Sequence, residues 1–181
     1  MVRTRVGYAG GTTENPTYSD VGDHSETVQI DFDPTVISYQ KLLDIFWNSH
    51  NCTVQSWSRQ YASIIFYHDA EQERLARATL ARQEAQWGKI YTEIVPYTRF
   101  YLAEDYHQKY YLRGEERLFR EVAAIYPTTE QLIASTAVAR INGYVGHHGS
   151  CETLRQELPL LGLSAEGGRW LERIVCGSST R

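Results

Sequence analysis

The chain lacks most of the features that assign a function class directly. Met1 is its only methionine, so no internal position can be oxidised to the sulfoxide. No apolar run approaches the roughly 18 residues needed to span a bilayer, and the first residues carry no apolar stretch of the signal-peptide kind. A soluble, cytoplasmic protein with no membrane partner is expected. There is no long run of Lys or Arg, and the formal net charge of -4 argues against nucleic acid as a partner. Cys52, Cys151 and Cys176 lie far apart without C-x-x-C spacing, which argues against a zinc ribbon or a secreted disulfide scaffold. His147, His148 and Cys151 supply too few ligands for a zinc site. Repeats and low-complexity segments are absent too. What remains is an ordinary globular composition, 42% hydrophobic and 12% aromatic over 181 residues, long enough to bury roughly two thirds of the unfolded surface.

Periodicity assigns the elements. Residues 27–32, Thr-Val-Gln-Ile-Asp-Phe, alternate as a half-buried strand that Asp33-Pro34 ends. Ser38 caps a helix whose Tyr39, Leu42, Leu43 and Phe46 share one face. Residues 62–67 read as a central strand covered on both faces, and residues 69–87 as a helix with Leu75, Ala78 and Ala85 inward and Gly88 at its end. Residues 92–97 form a strand near an edge, because Pro96 cannot donate a ladder hydrogen bond. Beyond Glu104 the pattern becomes helical. Leu118, Phe119, Val122 and Ala123 make one stripe, closed by Pro127. Leu132, Ile133, Thr136 and Ala139 make a second, ended by Asn142-Gly143, and Ser164 caps a last helix carrying Leu171, Ile174 and Val175. The tail from Gly177 is expected to fray. The expected organisation is an α+β core over residues 1–113, a mixed sheet with packed helices, followed by a helical extension over residues 114–181.

The chemistry concentrates near the start. In Tyr8-Ala9-Gly10-Gly11 the glycines permit positive φ and close approach of a ligand, and Tyr8 places a phenol beside them. A plain tight turn with a packing tyrosine is the competing reading. Asn15-Pro16-Thr17-Tyr18-Ser19-Asp20 is a turn leading to a carboxylate, and a second long loop ends in Gln60-Tyr61.

These segments, together with Asp31-Phe32-Asp33-Pro34, Ile65-Phe66-Tyr67-His68 and the run from Ala103 to Tyr111, resemble the peptide-methionine (S)-S-oxide reductases over roughly residues 2–112. The resemblance implies thiol-dependent reduction of methionine-S-sulfoxide, in repair of oxidative damage, without metal or organic cofactor. A cysteine attacks the sulfoxide sulfur while phenols and a protonated carboxyl hold the oxygen; methionine leaves, and the resulting sulfenic acid passes to a resolving thiol and then to thioredoxin. Carried over by position, Tyr8 and Tyr61 stand for the two oxygen-binding tyrosines and Asp20 for the acid, one methylene shorter than the family's glutamate. An apolar pocket that keeps this acid protonated is expected.

The family's nucleophile lies in a Gly-Cys-Phe-Trp segment at the junction of a first strand and a first helix, which is absent from these residues and expected upstream of them. Without that pair the sheet is short of a strand and leaves apolar faces open. Cys52 is the weak candidate nucleophile within the chain, although a loop cysteine lacks a helix N-terminus to activate it. Cys151, beside two histidines, and Cys176 are candidate resolving thiols. Asp23-His24-Ser25-Glu26 stands where the family has Gly-His-Ala-Glu, and Ser56 where it has an aspartate. These departures keep open a second reading, a cysteine-less module that binds oxidised methionine or a protein partner without reducing it.

Overall fold

The computed structural model describes residues 2–177; residues 178–181, most of the tail expected to fray, lie outside the described residues, while Gly177 ends the last helix. Contacts divide the chain into Val6–Ala103 and a second unit made of Met1–Arg5 with Glu104–Arg181. The architecture is α+β.

The Val6–Ala103 unit holds two small sheets. Strands β1 (Arg3–Ala9), β2 (Ser25–Asp31) and, later in the chain, β5 (Phe100–Leu102) form one sheet with β1 central. β1 runs antiparallel to β5, with Gly7 opposite Leu102 and Tyr8 opposite Tyr101. Between β2 and β5 the chain makes α1 (Tyr39–Asn48), β3 (Ile64–Tyr67), α2 (Ala70–Trp87) and β4 (Glu93–Pro96). β3 and β4 pair in parallel as a second sheet. Ser38 and Gly88 cap as the sequence proposes, Ser38 accepting from the Lys41 N–H and Gly88 closing α2 at φ +82°, where glycine alone is unstrained; Asp69, read as the first helical residue, instead caps α2 by accepting from the Gln72 N–H.

Two expectations need correction. β3 has a strand neighbour on one side, and Ile65 is its one buried residue, so it is not a strand covered on both faces. On α2 the inward side chains are Ala76 and Thr79, with Leu75 partly buried, while Ala78 and Ala85 face solvent. The cause is the same in both cases. The apolar cluster here has five buried members, Leu43, Trp47, Cys52, Ile65 and Ala76, and this small core covers only part of each element.

The other unit is helical: α3 (Tyr110–Gly114), α4 (Glu116–Ile125), α5 (Thr129–Ala134), α6 (Thr136–Val145), α7 (Cys151–Glu157) and α8 (Ala165–Gly177). The predicted second stripe is split into α5 and α6. Ser135 takes an extended conformation between them and caps α6 by accepting from the Val138 N–H, and α6 runs past Asn142-Gly143 to Val145. Twelve buried residues form the core, with Leu112, Leu118, Val138, Leu154 and Leu171 fully covered. Each buried leucine contributes about 2 kcal/mol by leaving water. Residues 2–5 belong here as well: the Lys109 ammonium donates to the Thr4 carbonyl at 2.7 Å and hydroxyl at 2.9 Å, and the Thr136 hydroxyl donates to the Val2 carbonyl at 2.6 Å. Burial holds Lys109 down to about 8. Cys151 at the start of α7 and Cys176 near the end of α8 form a disulfide, with Cα atoms 5.0 Å apart.

Candidate active site

The glycine turn after β1 is built by the segment that enters β2. Gly10 has φ +83°, and the Gly11 N–H donates to His24 Nδ1 at 3.1 Å. The opposite ring nitrogen of His24 lies 2.8 Å from the Thr13 carbonyl, which selects the Nε2–H tautomer. Asp23 accepts from the backbone N–H and hydroxyl of both Thr12 and Thr13 at 2.8 to 3.0 Å. The backbone donors of Thr13 and Thr12, and then the two hydroxyls, hold its carboxyl well below the usual carboxylate range. The departure at residue 23 is therefore a clamp on the turn.

Tyr8, on β1, is 1% exposed and belongs to the interior. Asp20 is exposed in a tight turn, where it and Thr17 exchange backbone hydrogen bonds at 3.1 Å. The phenol that meets Tyr61 is Tyr18. Hydrogen bonding to Tyr18, followed by slight desolvation and the charges of Tyr18 and Glu26, raises the Tyr61 pKa and keeps Tyr61 a proton-donating phenol. Glu26 is tied to the same place: its backbone N–H donates to the Gln60 carbonyl at 2.9 Å and its carboxylate accepts from the Gln60 amide at 2.7 Å. The structure thus gathers Tyr18, Glu26 and Tyr61. Sequence reasoning singled out Tyr61 alone of these three; the Asn-Pro-Thr-Tyr turn and the carboxylate at the start of β2 were signals for the other two.

Glu26 and Tyr61 border a hollow of about 440 Å³ lined by β2, β3 and the apolar face of α1, with Leu42, Leu43 and Phe46 among its walls. β2 is the edge of its sheet and β3 has its neighbour β4 on one side. The bond from Glu26 to Gln60 draws β2 towards the residues before β3 at one end. The hollow is therefore bounded by two strand edges and floored by hydrocarbon.

The cysteines lie elsewhere. Cys52 is 6% exposed in the apolar cluster and lines a separate hollow with Trp47 and Trp87. Cys151 and Cys176 are bonded to each other. Among the described residues no group of three or more His, Cys, Asp or Glu is placed to hold a metal ion, and no helix is long and apolar enough to cross a membrane.

The family model for peptide methionine sulfoxide reductase matches residues 1–139. A peptide methionine sulfoxide reductase of Drosophila melanogaster is 44% identical over 168 residues, covering 91% of this chain and 67% of its own length. The enzyme named MsrA from Methanosarcina acetivorans is 45% identical over 123 residues, covering 61% and 65%. Among solved structures, reduced Mxr1 of Saccharomyces cerevisiae superposes with a TM-score of 0.58 at 29% identity, covering 63% of this chain and 71% of that one. Methionine sulfoxide reductase A of Corynebacterium diphtheriae gives 0.55 at 32% identity, covering 62% and 63%. The chain spans about two thirds of the length of the curated relatives it matches. A match over residues 1–139, shared with relatives of this identity, settles the family: the chain belongs to the peptide methionine sulfoxide reductases.

Proposed function

We propose that the protein reduces methionine-S-sulfoxide in peptides and proteins to methionine, and that this chain supplies the oxygen-binding side of the site. The observation that carries the reading is the meeting of Tyr18 with Tyr61, where Tyr61 and Glu26 lie at the rim of an apolar hollow. Two phenols can donate hydrogen bonds to a sulfoxide oxygen, which becomes more basic as the sulfur is attacked. Glu26, when protonated, delivers the proton that this oxygen takes. That role is better served by Glu26, tied to the segment leading into Tyr61, than by Asp20, whose backbone closes a separate turn with Thr17.

The family resemblance implies an attacking thiol in a strand, turn and helix carrying Gly-Cys-Phe-Trp, a segment that is not among these residues. Such a segment suits the hollow: an extended strand satisfies the backbone groups along the β2 and β3 edges, and its apolar side chains cover Leu42 and Phe46. The thiolate adds to the sulfoxide sulfur, the oxygen ends on the cysteine as a sulfenic acid, and methionine departs. A resolving thiol then forms a disulfide and releases water. The bond between Cys151 and Cys176 supports reading them as the dithiol pair that carries the oxidising equivalent out to thioredoxin in a reducing, cytoplasmic compartment. Buried Cys52 is the weaker nucleophile candidate.

The test is turnover by the protein isolated from its source, with each sulfoxide epimer and a thiol reductant. Reduction of the S epimer alone, lowered about 100-fold in kcat/KM by Tyr61→Phe, is expected. Unchanged turnover by Tyr61→Phe would refute the assignment, and sulfoxide binding without turnover would favour the binding-module reading.

A further inference from the structure

The loop before Tyr61 carries the most exposed of the chain's large apolar side chains. Trp57 is 85% exposed, yet its ring centroid lies 5.3 Å from that of Tyr61 at an interplanar angle of 54°. An indole in water is costly to display, and a flexible loop would let it fold onto nearby hydrocarbon. This loop is held. The Ser56 hydroxyl donates to the Ser58 carbonyl at 2.8 Å and accepts the Ser58 N–H at 3.3 Å, so a small closed turn presents Trp57. Just after it, the Arg59 carbonyl accepts from the Ser25 hydroxyl at 2.6 Å and the Arg59 guanidinium reaches Glu93 at 2.5 Å. Gln60 is bound to Glu26 through backbone and side chain. The turn around Trp57 is thus anchored to β2 and β4 while its ring stays outside, against the phenol that faces the substrate oxygen.

We infer that Trp57 is a specificity-determining residue: its ring receives an apolar side chain two positions from the oxidised methionine in an extended peptide, so that peptides with such a side chain are preferred over free methionine sulfoxide. The inference rests on the proposed reading of Tyr61 for the location of the oxidised residue. Tyr18 and Tyr61, 43% and 44% exposed, extend the same aromatic surface. Successive side chains of an extended peptide stand on opposite faces, about 3.3 Å apart along the chain. The side chain two positions from one held at Tyr61 returns to the same face, about 6.6 Å along the chain, and falls within reach of a ring whose centroid is 5.3 Å from that of Tyr61. Trp is well suited to this work, because it offers a large rigid contact area at small entropic cost.

The experiment titrates the chain with blocked pentapeptides in which leucine or serine stands two positions after the central residue, that residue being methionine or methionine-S-sulfoxide. Binding is read from the Trp57 indole resonance, assigned by Trp57→Phe, and by calorimetry. Leucine peptides should bind about tenfold more tightly than serine peptides, equivalent to about 1.4 kcal/mol, and Trp57→Ala should abolish that preference while leaving N-acetyl-methionine-sulfoxide amide unaffected. A leucine preference that survives in Trp57→Ala, or a Trp57 resonance unmoved by millimolar peptide, overturns the inference. Loss of the preference in Trp57→Ala with equal affinity for methionine and its sulfoxide would uphold the aromatic subsite and overturn the sulfoxide reading instead.

Discussion

Reducing the bond between Cys151 and Cys176 should loosen the helical unit and leave the sheet-bearing one untouched. The bridge spans a sequence separation of 25 residues. Chain-entropy arithmetic for a loop of that length gives about 3.5 kcal/mol of stabilisation, acting through the unfolded state. A transition carried by fewer than 100 residues moves by about 4 to 8 °C per kcal/mol, so a fall of about 14 to 28 °C in its midpoint is expected. Calorimetry with and without a phosphine reductant measures it, and the doubly substituted Cys151→Ser, Cys176→Ser chain should match the reduced protein. The Val6–Ala103 unit contains Cys52 and no disulfide, so its own transition serves as an internal reference. Midpoints agreeing within about 2 °C in all samples would refute the reasoning, because they would mean the bridge restrains nothing that α7 and α8 do not already restrain.

Further tests address packing and charge. A Cβ at Gly7 would sit 2.1 Å from the Tyr101 carbonyl oxygen on the neighbouring strand; Gly7→Ala should therefore cost about 1 to 3 kcal/mol in urea unfolding, and a cost below about 0.5 kcal/mol would show that β1 and β5 separate easily. Lys109, with its pKa lowered to about 8 by burial, penalises the charged folded state below that pH. Between about pH 8 and 10 the unfolded chain binds a proton that the folded chain has lost, so stability should rise across this window and the rise should vanish in Lys109→Met. Above about pH 10 the sign reverses, because Tyr39, pushed up to about 12 by desolvation and by the Asp69 charge, keeps its proton when folded.

Local chemistry was legible in the sequence, and tertiary arrangement was legible only in part. Ser38, Asp69, Gly88 and Ser164 mark helix ends because each satisfies orphan backbone groups within four residues of itself. β2 shows its alternation for a similarly local reason. Ser135 was harder to foresee: an apolar stripe runs through it, and only the packing of α5 and α6 shows that the stripe is two helices. β5 is three residues long and exists as a partner of β1, so no period could reveal it. The tyrosines were the instructive case. Tyr8 sits between Gly7 and Ala9, and such small neighbours in a strand signal close packing from both sides, as the 1% exposure of Tyr8 bears out. Tyr18, in a polar turn, looked incidental until the fold brought it to Tyr61.

The membership of residues 2–5 in the helical unit has a consequence for the order in which the nascent chain can fold. Thr4 receives its bond from Lys109, 105 positions later, and Val2 receives one from Thr136, 134 positions later. The ribosome must therefore deliver the whole Val6–Ala103 unit before Val2 and Thr4 can make these two bonds. Damage to those few early residues would therefore be felt in helices translated long after them as well as in the strand they open.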